Sequence, residues 1–242
     1  MVLADIGNTS IHFGIEKNNR LVKAFRLYNR SINRSVLRKK LKEYRFEDIL
    51  ICSVAPSVSS YFKNIGRKVY FVGRDLTVPV KSLYNRKDIG QDRLVNVFAA
   101  IKLYPQAKII IDFGTALTVD FISKDKTYLG GFILPGIKLY LEALKKCELL
   151  SKRVKLVNSR CTFIPRDTIS SVSCGAKEGF SLMVNSFVEK YKRKLEIKQN
   201  MRNTKVIVTG GESYILRNKI SFPHIYEPLL TLKGLLLLKE FI

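Results

Sequence analysis

A strand–turn–strand pattern occurs twice in this chain, at its N-terminus and near its middle. The first copy runs through the turn Asp5–Thr9, and the second places Ile109–Ile111 directly before the turn Asp112–Thr115. Runs of β-branched apolar residues are typical of buried strands, and each turn carries an acid, a glycine and a hydroxyl residue at matched offsets. Glycine lets backbone N–H groups approach an oxyanion closely, and the hydroxyl adds a donor. The recurrence therefore predicts two similar halves that present phosphate-binding turns to a shared cleft, with two unrelated β-hairpins as the alternative.

The composition is that of a globular protein. The chain has 242 residues, of which 46% are hydrophobic, and this allows one large domain or two small ones. No apolar run is long enough to span a membrane, because charged residues and glycine interrupt the leucine-rich end at 229–242. The chain starts directly with a strand and shows no signal peptide, so we expect a cytoplasmic protein. The four cysteines lack metal-ligand spacing, and we interpret them as reduced thiols in the core rather than as disulfides or zinc ligands.

The formal net charge of +23 is the unusual feature of the composition. Such a charge is typical of proteins that bind nucleic acid or a membrane surface, and it also occurs where a whole proteome is rich in Lys and Arg. The basic residues are spread over many segments, and we find no nucleic-acid-binding motif among them. We expect no membrane partner and keep nucleic-acid binding open as a second role. The charge also predicts that anionic substrates such as nucleotides are attracted to the protein.

The order of predicted elements favours an α/β fold made of two halves, residues 1–105 and 106–242. Each half begins with strands joined by hairpins and continues with alternating helices and strands, which indicates a mixed sheet flanked by helices. We expect Thr168 to about Lys194 to be mostly helical, and a last helix over about 228–241. The order resembles duplicated ribonuclease-H-like halves, as in actin-like ATPases, with the active site in the cleft between them.

Two segments rich in small or polar residues stand where predicted strands end or helices begin. Gly90–Arg93 precedes a helix predicted over 94–101, so Asp92 stands at a helix N-terminus, where its simplest role in isolation is that of an N-cap. Thr209–Gly211 follows a short apolar strand. A Gly-Gly turn at that position lets a ligand lie against the backbone, with an ordinary strand-to-helix turn as the alternative.

Six motifs in order make the chain resemble type III pantothenate kinases, of the acetate and sugar kinase/Hsp70/actin superfamily. They are Asp5–Thr9, Gly90–Arg93, Asp112–Ala116, Gly130–Gly136, Thr209–Gly211 and Glu227–Leu235. Each is weak alone, but the series covers essentially the whole chain. The resemblance implies ATP-dependent phosphorylation of the primary hydroxyl of pantothenate, the first step of coenzyme A synthesis, by a homodimer.

The resemblance also implies roles in binding pantothenate and in catalysis. Asp92 would be the proton acceptor, and Gly90, Gln91, Asp92 and Arg93 would contact pantothenate. Tyr84 matches a substrate-binding tyrosine of the family, although its spacing from Gly90 is one residue short. Thr168, seven residues before Gly175, would contribute to the substrate site near the partner subunit.

For ATP and its ions the resemblance implies contacts from both turns. The first ATP loop would be Asp5, Ile6, Gly7, Asn8, Thr9, Ser10, Ile11 and His12, with His12 interpreted as a strand residue rather than a catalyst. Thr115 would touch an ATP phosphate, and Asp112 would bind a monovalent cation, K⁺ or NH₄⁺. Mg²⁺ would accompany ATP near Asp5.

Two other functions stay open. One is a related phosphotransferase with a different acceptor, and the other is a catalytically idle, nucleotide-binding regulator that uses its basic surface on nucleic acid. The presence of Asp92 argues against the second, since a pure binding protein needs no base there.

Overall fold

The computed structural model describes residues 1–157 and 161–242, and these divide into two units. The first unit consists of Met1–Pro105, Asp125–Gly130 and Leu229–Ile242, and the second of Gln106–Lys124 and Gly131–Pro228. The division made from the sequence falls at the same Pro105–Gln106 junction. It differs in assigning Asp125–Gly130 and Leu229–Ile242 to the second half, whereas the structure groups both segments with the first unit.

The described residues form ten strands and six α-helices. The strands are β1 (Val2–Ile6), β2 (Ser10–Lys17), β3 (Arg20–Tyr28), β4 (Asp48–Ser53), β5 (Lys68–Phe71), β6 (Ala107–Phe113), β7 (Ala116–Ile122), β8 (Tyr128–Pro135), β9 (Lys205–Thr209) and β10 (Ile225–Tyr226). The helices are α1 (Arg34–Leu41), α2 (Pro56–Ser59), α3 (Gln91–Leu103), α4 (Ile137–Leu144), α5 (Thr168–Lys198) and α6 (Leu230–Leu238). Among these residues no helix has the length and apolarity needed to cross a bilayer.

The first unit is built on a five-stranded mixed sheet with the order β3-β2-β1-β4-β5. Hairpins make β1, β2 and β3 antiparallel, while β4 and β5 run parallel to β1. The central strands are buried because they consist of apolar residues, and Ile6, Ile51 and Phe13 have no exposed surface. Leu37 and Leu41 of α1 pack in the same core. Since β1 and β4 are parallel, their carboxyl ends meet at one edge of this sheet.

The last helix, α6, packs against the first unit. Gly234 allows a close approach to α3, because a Cβ there would lie 2.6 Å from Cγ1 of Val95. After the helix, Nζ of Lys239 donates to Oε1 of Glu16 at 2.8 Å, and the terminal ammonium of Met1 donates to Oε2 at 3.2 Å. Burial alone would raise the pKa of Glu16, but the hydrogen bonds from Lys239, Asn19 and Met1 lower it below its ordinary value. These contacts explain why the C-terminal segment belongs to the first unit.

The second unit contains a second mixed sheet, with the order β10-β9-β6-β7-β8. Strands β6 and β7 form an antiparallel hairpin, and β9 lies parallel to β6 on its other side. The three isoleucines Ile109–Ile111 are fully buried, as their sequence predicts. The long helix predicted from Thr168 is confirmed and extends to Lys198; Asp167 caps it by accepting a hydrogen bond from Ser170 N–H at 2.9 Å.

The prediction that all cysteines are reduced thiols is wrong for two of them. Cys161 and Cys174 form a disulfide that joins the segment before α5 to the helix itself, with their Cα atoms 5.4 Å apart. Spacing in the sequence does not show this pair, because the loop after α4 must first fold back on α5. Cys52 is a buried free thiol and Cys147 an exposed one.

Candidate active site

The first turn lies at the carboxyl end of β1. Asp5 pairs with Cys52 in the register of β1 and β4 and with His12 in the register of β1 and β2. Gly7 N–H donates to the carbonyl of Ser10 at 3.0 Å and closes the turn. The residues of the predicted ATP loop, Asp5, Ile6, Gly7, Asn8, Thr9, Ser10, Ile11 and His12, therefore form one continuous hairpin.

The side chain of His12 is neutral at pH 7. Burial chiefly, and the positive charge of Arg26 on the neighbouring strand in addition, lower the pKa of His12 to about 4. A neutral imidazole adds no positive charge to a phosphate site at physiological pH. This agrees with the interpretation of His12 as a residue of the strand rather than a catalyst.

Asp5 and Asp92 lie near the same buried sulfur atom. Burial raises the pKa of the Cys52 thiol well above its usual value, and the negative charges of Asp5 and Asp92 raise it further. Such an effect requires both carboxylates to lie within electrostatic reach of Cys52, at the carboxyl ends of β1 and β4. The first turn and the predicted proton acceptor thus occupy one region of the first unit.

Asp92 lies inside the first turn of α3 and is not the N-cap of that helix. Gly90 is the N-cap, and Oδ1 of Asp92 accepts a hydrogen bond from the N–H of Arg93 at 2.8 Å. A carboxylate at this position interacts favourably with the positive end of the helix dipole. The N-cap role that the sequence suggests for Asp92 therefore belongs to Gly90.

Gly90 leaves room for the Asp92 carboxylate, so we predict a catalytic defect for Gly90→Ala. The backbone angles of Gly90, φ −58° and ψ 130°, suit any residue, but a Cβ would lie 2.5 Å from Oδ1 of Asp92. The methyl group must therefore displace the carboxylate without straining the backbone. We expect kcat to fall about tenfold to a hundredfold with thermal stability retained, as measured by steady-state kinetics and a melting curve. A variant with unchanged kcat would contradict this role of Gly90.

Arg93 is almost fully buried beside two tyrosine rings. Its Cζ lies 5.8 Å from the ring centroid of Tyr84 and 5.7 Å from that of Tyr128, and its side chain is 5% exposed. Cation–π contacts of this kind fix the direction of a guanidinium. Tyr128 has no exposed surface, and its N–H and carbonyl bond Lys81 and Leu83 at 2.8 and 2.9 Å.

Tyr128 is a site residue that sequence reasoning missed. It lies in the short segment Asp125–Gly130, which belongs to the first unit but interrupts the second unit in the chain, and no motif includes it. The sequence gives one indirect signal, the glycine pair at 130–131. Gly130 has φ +105°, and a Cβ on it would lie 3.3 Å from the Tyr84 ring. The absence of a side chain at this glycine therefore lets the Tyr84 ring pack close to the strand that carries Tyr128.

Gln91, the first residue of α3, lines a cavity of about 780 Å³ in the first unit. Its side chain packs on Gly73, whose φ is +88° and where a Cβ would lie 2.7 Å from Cδ of Gln91. The same cavity is lined by Ser53 and Phe71.

The second turn, in the second unit, is surrounded by glycines that the sequence motifs contain. Gly136 N–H donates to the carbonyl of Thr115 at 2.9 Å, and a Cβ on Gly136 would overlap the carbonyl oxygen of Gly114. Gly210 has φ +93°, and a Cβ there would overlap Oδ1 of Asp112 and lie 2.5 Å from N of Phe113. Only a glycine at position 210 therefore leaves room for the Asp112 carboxylate.

Thr168 lines a different cavity of the second unit, of about 640 Å³. Gly175, Tyr140 and Arg166 also line it, whereas Asp112 and Thr115 do not. Thr168 is the first residue of α5, and Gly175 follows about two turns further along the same helix.

Among the described residues no group of three His, Cys, Asp or Glu side chains is arranged to hold a metal ion. A divalent ion bound with nucleotide needs only one or two carboxylates, because phosphate oxygens and water complete its coordination. Asp5 fits that requirement. Asp112 supplies carboxylate oxygens, the ligand type that a hard cation takes.

Comparison with known proteins agrees with this geometry. The type III pantothenate kinase family model matches residues 1–190. A type III pantothenate kinase of a Sulfurihydrogenibium species is 30% identical over 100% of both chains, and that of Persephonella marina is 29% identical over 96% of this chain and 94% of its own. Among solved structures, a Campylobacter jejuni protein named as a conserved member of a Baf family of transcriptional activators has a TM-score of 0.62 at 24% identity and covers 100% of this chain and 98% of its own. An archaeal actin homologue has a TM-score of 0.52 at 11% identity and covers 100% of both chains.

The two sheets, each with an acid–glycine–hydroxyl turn at its centre, define a protein of the actin-like ATPase fold, which confirms the predicted α/β class of duplicated ribonuclease-H-like halves. Within that class, the chain belongs to the type III pantothenate kinase family. The predicted family and its phosphotransferase activity, the ATP-dependent phosphorylation of pantothenate, are confirmed.

Proposed function

We propose that Asp92 is the proton acceptor when this protein transfers the γ-phosphoryl group of ATP to the primary hydroxyl of pantothenate. The observation that carries the proposal is the position of Asp92: its carboxylate lies against Gly90 near Val54, and Val54 N–H donates to the carbonyl of Ile6 in the first turn at 3.0 Å. Phosphoryl transfer needs positioning and charge neutralisation more than covalent chemistry by the protein. Asp92 therefore has only to orient the hydroxyl and accept its proton as the new bond forms.

The remaining residues of the first unit bind and orient the two substrates. Asn8, Thr9 and Ser10 offer N–H donors, and Thr9 and Ser10 offer hydroxyl donors, to phosphate oxygens. Arg93, held by Tyr84 and Tyr128, directs its guanidinium to the pantothenate carboxylate, for which a planar fork is well suited. Gly90, Gln91 and Tyr84 complete the contacts to pantothenate.

Two ions accompany ATP in this proposal. Asp5 holds Mg²⁺, directly or through water, and Asp112, for whose carboxylate Gly210 leaves room, holds a monovalent cation, K⁺ or NH₄⁺. These ions offset negative charge on the phosphates. Thr115 donates its hydroxyl to an ATP phosphate.

A direct assay tests the function. Purified protein with ATP, Mg²⁺, K⁺ and pantothenate should form 4′-phosphopantothenate, identified by mass spectrometry, and replacement of K⁺ by Na⁺ should lower the rate. A panel of other hydroxyl acceptors tests for a related phosphotransferase. No product under any salt, or a faster reaction with another acceptor, would overturn the proposal. We place the protein in the cytoplasm, where ATP and pantothenate are present.

We propose that the enzyme is a homodimer in which Thr168 acts on the substrate of the partner subunit. The support is the cavity around Thr168, whose lining contains no residue of the second turn.

Complementation between two inactive variants tests the dimer. We expect Asp92→Asn and Thr168→Val proteins, unfolded and refolded together, to regain activity, because each mixed dimer contains one site with both native residues. Random pairing gives at most about a quarter of the wild-type rate. The double variant Asp92→Asn/Thr168→Val mixed with Asp92→Asn is the control and should stay inactive. A mixture of the single variants that also stays inactive would contradict the action of Thr168 across subunits.

A further inference from the structure

Asn29 donates hydrogen bonds to three consecutive carbonyl groups of the first turn. Its Nδ2 donates to the carbonyl of Gly7 at 2.8 Å and to that of Asn8 at 2.9 Å. Its backbone N–H donates to the carbonyl of Thr9 at 3.0 Å. Asn29 directly follows β3, so strands β2 and β3 separate it from the turn in the sequence.

These three hydrogen bonds fix the direction of the turn's N–H groups. In a trans peptide the C=O of one residue and the N–H of the next point in opposite directions, and the described peptide bonds are all trans. Carbonyl groups directed at Asn29 therefore turn the N–H groups of Asn8, Thr9 and Ser10 away from it. The turn thus presents carbonyl groups on one side and N–H groups on the other.

The turn needs such a support because its backbone does not fix its own shape. Gly7 is not among the glycines with a positive φ, and neither Asn8 nor Thr9 adopts the left-handed region. A Cβ on Gly7 would lie 3.3 Å from the carbonyl oxygen of Ser10, a close but not prohibitive distance. The conformation is therefore held by hydrogen bonds, one within the hairpin from Gly7 N–H to the Ser10 carbonyl and three from Asn29 outside it.

The chemistry of the amide explains why the residue is an asparagine. A side chain that donates to two carbonyl oxygens at once needs an NH₂ group, and the opposite orientation would set Oδ1 against both oxygens. Oδ1 itself is buried, and no described residue donates a hydrogen bond to it. A buried acceptor that receives no hydrogen bond lowers stability. The two hydrogen bonds that Nδ2 donates therefore explain why an amide side chain occupies position 29.

We propose that Asn29 is a positioning residue that shapes the first turn for the phosphates of ATP. It acts through the backbone of Gly7, Asn8 and Thr9 and does not touch the nucleotide. This inference rests on the proposed function, because it assigns the N–H side of the turn to the phosphates.

The test compares two identical changes in neighbouring asparagines. Asn29→Asp preserves the shape of the side chain but sets carboxylate oxygens against two carbonyl oxygens. We expect KM for ATP, and the dissociation constant of ATP measured by calorimetry without pantothenate, to rise about tenfold or more. KM for pantothenate should change little. Asn33→Asp is the matched control, because Asn33 caps α1 by accepting from Val36 N–H, and aspartate caps equally well.

The outcomes separate this inference from the function on which it rests. A wild-type protein that makes no 4′-phosphopantothenate contradicts the proposed function. An active wild type with an Asn29→Asp variant of unchanged ATP affinity contradicts the role of Asn29. If Asn29→Asp does not fold, Asn29→Ser, which removes the amide without adding charge, decides instead: weaker ATP binding with unchanged KM for pantothenate supports the proposal, and wild-type ATP binding overturns it.

Discussion

Replacement of Asp92 by asparagine is expected to lower kcat by about a hundredfold or more and to leave ATP affinity unchanged. The amide keeps the size of the side chain and can still accept the N–H of Arg93, which Oδ1 of Asp92 accepts at 2.8 Å. It cannot take a proton from the pantothenate hydroxyl at neutral pH. The loss therefore falls on the chemical step and not on the binding of nucleotide by the first turn.

Steady-state kinetics with both substrates and calorimetric titration with ATP measure the two quantities separately. Asp88→Asn is the matched control, since Asp88 is an exposed acid shortly before the same helix and has no assigned part in the reaction. A variant at position 92 that retains a kcat near that of the wild type would exclude Asp92 as the base.

A second large effect is expected at Gly210, where alanine should lower the free energy of unfolding by about 3 kcal/mol or more. The residue has φ +93°, which an L side chain rarely adopts, and a Cβ would lie 2.5 Å from N and 2.6 Å from C of Phe113. Backbone atoms cannot rotate away as a side chain can, so β6 or the turn after β9 must shift. The Asp112 carboxylate would shift with them, and we expect activity to fall as well.

Gly179→Ala, in the same unit, is the matched control. It is also a glycine-to-alanine substitution, but we expect it to raise the free energy of unfolding. Gly179 lies within α5, and a Cβ there would meet nothing within 4 Å. Alanine in a helix interior is about 0.5–1 kcal/mol more favourable than glycine, so this variant should be slightly more stable than the wild type. Chemical denaturation monitored by circular dichroism measures both. Equal stability of the two alanine variants would show that the space around Gly210 is not the constraint we infer.

Features that depend on neighbouring residues in the chain were predictable from the sequence. Both turns lie where apolar strands end, and the helix from Thr168 forms as its stripe of apolar residues indicates. Local residue preference and the spacing of apolar positions decide such elements before any tertiary contact forms. The family follows from the same short segments, because they carry the glycines and acids that phosphate chemistry requires.

Features that depend on distant segments were not predictable. Asn29 reaches Gly7 only after two strands have paired, and Tyr128 meets Arg93 only after a short segment joins the first unit. Cys161 meets Cys174 only when a loop folds back on its helix. Nothing in the local sequence distinguishes these residues from others of their type, since each acquires its role from a partner far along the chain.

The place of α6 has a consequence for biosynthesis. Because Leu229–Ile242 belongs to the first unit, a segment that follows the second unit in the chain is needed to complete the unit that precedes it. During translation, the surface of the first unit that receives Leu232 and Leu235 stays uncovered until the whole second unit has been made. Loss of Leu229–Ile242 would therefore destabilise the first unit rather than the second unit, which directly precedes this segment in the chain.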